Sequence, residues 1–113
     1  MRIIACDFDG TITEDVPFPR YADIRQEALL YIPILFAAGY TLVLWTARSG
    51  KYYDEAIQRL DDSGLLQYFS DISVCSAGHD GKIAADFYID DRATVNFDWT
   101  TVVSYLISCL EEN

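Results

Sequence analysis

The sequence predicts a single α/β domain on a doubly wound, mostly parallel sheet, and three observations lead there. Short apolar runs alternate with helical periodicities in the order β-α-β-α-β-β-α. The runs are continuously apolar, as strands covered on both faces are. The chain has 113 residues, 51% of them apolar, which suits one domain with a packed core, taken as residues 1–113.

The first run, Ile3-Ile4-Ala5-Cys6, stops at polar residues as a buried strand does. Gly10 to Tyr21 contains Pro17 and Pro19 and reads as a loop. Asp23 with Gln26 three positions on has the form of a capping box opening a helix to about Ala38, with Gly39 placed as its C-terminal cap. Pro33 inside it predicts a kink or an interruption. Tyr40 to Trp45 is the second strand. Tyr53, Ala56, Ile57 and Leu60 set a helical period over Tyr52 to Asp62, closed by Gly64. Ile72 to Cys75 and Phe87 to Ile89 are the third and fourth strands. Asp98 caps a last helix carrying Val102, Val103, Leu106, Ile107 and Leu110.

Composition narrows the function classes. The 18 acidic residues outnumber the 8 basic ones, a formal net charge of −10, which disfavours nucleic acid as a partner. The apolar stretch Ala28–Ala38 is broken by Pro33 and falls short of the roughly 20 residues of a membrane span. The first residues do not have the pattern of a signal peptide. Cys6, Cys75 and Cys109 are scattered and form no Cys-x-x-Cys pair, so they read as reduced core residues of a cytoplasmic protein.

In a parallel α/β sheet the ligand site lies beyond the carboxyl ends of the strands. There the sequence places Asp7-Phe8-Asp9-Gly10-Thr11 after the first strand, Thr46-Ala47-Arg48 after the second and Asp90-Asp91 after the fourth. Four carboxylates on one sheet edge repel each other unless a cation joins them, and all-oxygen ligation suits Mg²⁺.

These residues resemble the four motifs of the haloacid dehalogenase superfamily of phosphatases and phosphotransferases. Ile3 to Ile12 is similar to its first motif, Leu42 to Thr46 to its second, Lys82 to its third and Tyr88 to Asp91 to its fourth, in the family's order over most of the chain. The resemblance implies a Rossmann-like domain and a Mg²⁺-dependent phosphomonoester hydrolase working through an aspartyl-phosphate. Asp7 would be nucleophile and metal ligand. Asp9 would be general acid and then base, lending its backbone carbonyl to the metal. Thr46 would hydrogen-bond a phosphoryl oxygen and Lys82 would neutralise charge on it. Asp90 would bind the metal directly, and Asp91 would do so through water or orient Lys82 or a backbone amide. Gly10, Thr11, Ala47 and Arg48 would border the phosphate. Arg48 either grips a second anionic group of the substrate or pairs with Asp91 or Asp54. His79, the only histidine, reads as a polar loop residue.

The intervals between motifs are used up by a helix, a loop and a strand, leaving no room for an inserted cap domain. The apolar loop tip around Phe18 is therefore expected to close over the substrate or against a second subunit of a homo-oligomer. A small phosphorylated metabolite is the expected substrate. The alternatives are a non-catalytic Mg²⁺- or phosphate-binding module and a polynucleotide-end phosphatase. A phospho-accepting regulatory domain is excluded, because its acceptor aspartate would follow the third strand, where Ser76 stands.

Overall fold

The structure, a computed structural model, describes residues 2–14, 16, 22–74, 84–91 and 97–111. Lys82, His79 and the loop tip with Phe18 lie outside the described residues. Four strands, β1 (Ile3–Asp7), β2 (Thr41–Thr46), β3 (Phe69–Val74) and β4 (Phe87–Ile89), form one sheet in the order β3-β2-β1-β4. Every pairing is parallel, with Ile4 beside Leu42 and Phe87 and Cys6 beside Leu44 and Ile89. Among the described residues three α-helices accompany it: α1 (Gln26–Ala37), α2 (Gly50–Ser63) and α3 (Trp99–Glu111). This is the single parallel α/β domain that the alternation of elements predicts.

Strand periodicity builds the core. Ile4 and Cys6 of β1 and Leu42 and Leu44 of β2 share one face of the sheet. They join one apolar cluster with Ala28, Ile32 and Leu35 of α1, Ala56 and Leu60 of α2, and Val103 and Leu106 of α3. Tyr40, just ahead of β2, is buried among them, and its hydroxyl donates to the Leu106 carbonyl at 2.6 Å. On the opposite face Trp45 and Tyr88 pack edge to face, ring centroids 6.1 Å apart.

Three local expectations change. Asp23 does not cap α1. The segment before the helix is extended, Thr13 and Ile24 form an antiparallel bridge, and the cap position falls to Arg25 with no side-chain cap bond. Pro33 does not interrupt α1, which is assigned as one helix across it. β3 begins at Phe69, ahead of the predicted Ile72, because Ser70 and Asp71 occur on an edge strand, where polar side chains are tolerated. The expected caps hold elsewhere. Gly64 closes α2 in the left-handed conformation (φ 83°), and Asp98 accepts the Thr100 and Thr101 amides at 3.3 Å each.

β1 is central. The chain leaves it for β2 and β3 on one side, then returns to place β4 on the other. The carboxyl end of β1 is therefore the topological switch point of the sheet, the crevice where this architecture binds ligands.

Candidate functional site

Asp7 is the last residue of β1, held there because the strand is hydrogen-bonded on both sides. Asp90 and Asp91 follow β4 directly. One carboxylate oxygen from each of the three lies within 4.8 Å of the others, and all three residues are half-buried. Burial, and next the charge of Asp90, push the Asp7 carboxyl up to about 7, against the lowering effect of its hydrogen bond from the Phe8 backbone. The same burial, with Asp7 and Asp90 beside it, pushes the Cys6 thiol up, so Cys6 is an inert core residue. The trio is thus a set of hard oxygen donors gathered at one point, each half-buried. That donor set fits a divalent cation of the Mg²⁺ type.

The turn after Asp7 is held with unusual redundancy. The amides of Thr11, Ile12 and Thr13 all point at the Phe8 carbonyl, at 3.3, 3.0 and 3.2 Å. Gly10 has φ 79°, and a Cβ there would fall 2.7 Å from Asp91 Oδ2, so both the backbone and the space demand glycine. The Thr11 hydroxyl donates to Asp91 Oδ1 and accepts the Asp91 amide, each at 2.9 Å, and lies 3.5 Å from Asp7 Oδ2. Thr11 therefore ties the end of β4 to the end of β1. From outside, Arg25 donates to the carbonyls of Gly10 and Thr13, both at 2.9 Å, and the Trp99 indole donates to the Thr11 carbonyl at 2.8 Å.

Arg25, Thr13 and Trp99 were invisible to motif reasoning. The one signal was chemical: a buried indole N–H needs an acceptor. Nothing in the sequence says that the acceptor is Thr11.

The loop after β2 lies beside the loop after β1 because the two strands are parallel neighbours in register, Asp7 beside Trp45. Thr46 is buried, and its hydroxyl oxygen accepts the Arg48 amide at 3.1 Å. That local turn uses an oxygen lone pair and not the O–H proton. Ala47 is exposed at the edge of the site. Arg48 corrects an expectation. It is only 3% exposed and pairs neither with Asp91 nor with Asp54 but with Asp9, donating Nε to Oδ2 at 2.8 Å and Nη2 to Oδ1 at 2.6 Å. Its guanidinium also sits 5.8 Å from the centre of the Phe8 ring. Asp9 accordingly stands beside the carboxylate trio, its side chain turned to Arg48.

No family model matches the chain, and no curated protein matches it. Among solved structures, a conserved protein from Bacteroides thetaiotaomicron is 32% identical, with a TM-score of 0.76 over 93% of this chain and 88% of that one. The chain belongs to the family of that protein. This Bacteroides family membership establishes kinship and fold and names no reaction. A crystal structure of a target protein from Vibrio cholerae, 22% identical over the whole of both chains with a TM-score of 0.54, shares the fold alone.

Proposed function

We propose that the protein is a Mg²⁺-dependent phosphomonoester hydrolase that works through an aspartyl-phosphate on a small phosphorylated metabolite. The observation that carries this reading is the convergence of Asp7, Asp90 and Asp91 at the switch point, with Asp7 pushed up to about 7 by burial and by Asp90. A cation beside a carboxylate in that position favours its ionised, nucleophilic form.

In this reading the three carboxylates, with the backbone carbonyl of Asp9, would hold Mg²⁺. When bound, the ion would stabilise ionised Asp7 and draw charge from the phosphoryl oxygens. An Asp7 oxygen forms a bond to phosphorus while the ester P–O bond breaks, and the leaving oxygen takes a proton from Asp9. A water oxygen then bonds to phosphorus and yields its proton to Asp9. The P–O bond to Asp7 breaks, and inorganic phosphate leaves. Thr46 offers its O–H to a phosphoryl oxygen, Lys82 neutralises charge there, and the Gly10–Thr11 turn keeps Asp7 in line. The net charge of −10 favours a small substrate over a polyanion. No helix among the described residues is long and apolar enough to cross a membrane, and the reading places the reaction in the cytoplasm.

The test is phosphate release from p-nitrophenyl phosphate and from a panel of nucleotides and sugar phosphates, with Mg²⁺ and with EDTA. Release that needs Mg²⁺ and disappears in Asp7→Asn is the expected result. No release from any ester would sink the reading and leave a non-catalytic metal-binding module.

A further inference from the structure

We propose that Arg48 is a positioning residue that acts through Asp9, holding that carboxylate beside the metal-binding trio so that proton exchange with the leaving group goes through Asp9. The inference rests on the phosphatase reading above and adds to it a residue that acts through Asp9.

Three observations support it. Arg48 is 3% exposed, so its guanidinium is fixed by packing and does not sweep solvent for ligands. Its position is set from both ends, by the hydrogen bond its backbone amide donates to Thr46 Oγ1 at 3.1 Å and by the Phe8 ring 5.8 Å from the guanidinium carbon. Its fork takes both oxygens of Asp9, at 2.8 and 2.6 Å, the planar bidentate geometry that only arginine supplies. The Asp9 side chain is 39% exposed against 2% for Arg48. One member of the pair is thus an internal anchor and the other an accessible group. A carboxylate has about four lone-pair sites and the fork uses two, so Asp9 keeps oxygen capacity for a proton or a water while it is held.

The same fork explains why Asp9 does not collapse onto the neighbouring charges. An unheld aspartate two residues from Asp7 could swing toward a cation held by Asp7, Asp90 and Asp91, and would then be a ligand instead of a proton carrier. Arg48 offers both oxygens a competing partner. A residue with that task affects the step in which the leaving oxygen is protonated, and it leaves substrate binding alone.

The experiment compares wild type, Arg48→Lys, Arg48→Gln, Asp9→Asn and the Asp9→Asn/Arg48→Gln double variant with Mg²⁺. Each is assayed on p-nitrophenyl phosphate, whose leaving group needs little protonation, and on an alkyl phosphate, whose leaving group needs much. General acid help is worth about 10²–10⁴-fold, so Asp9→Asn should lose that much on the alkyl ester. Arg48→Gln should lose about tenfold or more in kcat on that ester, little on the aryl ester, with KM unchanged. The double variant should be no worse than Asp9→Asn, because Arg48 acts through Asp9. Arg48→Lys keeps the charge without the fork and should recover only part of the loss. Because it keeps the cation, it also serves as the reading if Arg48→Gln fails to fold, which a thermal melt reports. Equal losses on both esters, losses that multiply in the double variant, or a rise in KM alone would each overturn the role. A wild type that releases no phosphate from either ester would instead remove the phosphatase reading, and this role with it.

Discussion

Asp7 carries an energetic cost in the metal-free protein, because burial and Asp90 hold its carboxyl near 7 instead of at its ordinary 3.8. Between those two values the folded chain keeps a proton that the unfolded chain has lost. Stability from this group is therefore complete below about pH 4 and is lost as pH rises through 7. From pH 5 to pH 8 the loss is about 3 kcal/mol, at roughly 1.4 kcal/mol per unit of pH below the folded value. Chemical denaturation in EDTA across that range should show the decline in wild type and a flatter profile in Asp7→Asn. Parallel profiles would mean that Asp7 is not held above its ordinary range. The same substitution should abolish turnover, so stability and function diverge at one atom. Gly10 shows the opposite economy: its missing side chain leaves room for Asp91 Oδ2. At residue scale, the aspartates and Gly10 were legible as a motif, whereas the Arg48–Asp9 pair was not, since it joins residues far apart in sequence.

Element scale explains why a loop can serve as a rigid site. The turn from Phe8 to Thr13 is pinned by α3 through the Trp99 indole and from the start of α1 through Arg25. Trp99 is 1% exposed, and its ring meets Phe97 edge to face at 5.8 Å. Trp99→Phe should retain most of the packing and lose the bond to the Thr11 carbonyl, leaving a buried acceptor unpaired. The expected cost is about 1–3 kcal/mol. Because Thr11 also holds Asp91, divalent-metal affinity should fall with it. Denaturation together with calorimetric Mg²⁺ titration checks both. Unchanged metal affinity beside lowered stability would show that the indole supports the core alone. Arg25 explains the failed capping expectation as well. The stretch before α1 is used to reach the site, and an extended backbone there forms the Thr13–Ile24 bridge that a helix starting at Asp23 would lose.

At the scale of the whole molecule, the strand order β3-β2-β1-β4 converts separate motifs into one place. Parallel strands all present their carboxyl ends to the same edge, and the return to β4 sets Asp90 and Asp91 against Asp7. A cation bound there contacts residues from two strands that are distant in sequence, so it binds the folded chain and not the unfolded one. Mg²⁺ should raise the melting temperature in a concentration-dependent way, with the folded state gaining about 2.7 kcal/mol at a hundredfold excess over Kd. The effect should be larger at pH 8 than at pH 5, where protonated Asp7 competes with the ion. Thermal melts with and without EDTA measure it, and a melting temperature indifferent to Mg²⁺ at both pH values would rule out a metal centre.

Local chemistry was enough to predict the order of the elements, a mostly parallel sheet and the edge that holds the carboxylates, though not every element boundary. Apolar runs, Gly64 and Asp98 act over a few residues, and those signals survive in one dimension. Only the tertiary structure decided which polar groups meet. Thr11 with Asp91, Arg48 with Asp9 and Trp99 with the Thr11 carbonyl span 80, 39 and 88 residues of sequence. Such pairings arise because neighbouring strands bring loop ends within hydrogen-bond reach, and a hydrogen bond depends on distance and direction that no residue spacing encodes. The identity of each partner is thus a property of the packed sheet, while the supply of charged and hydroxyl groups at its edge is a property of the chain.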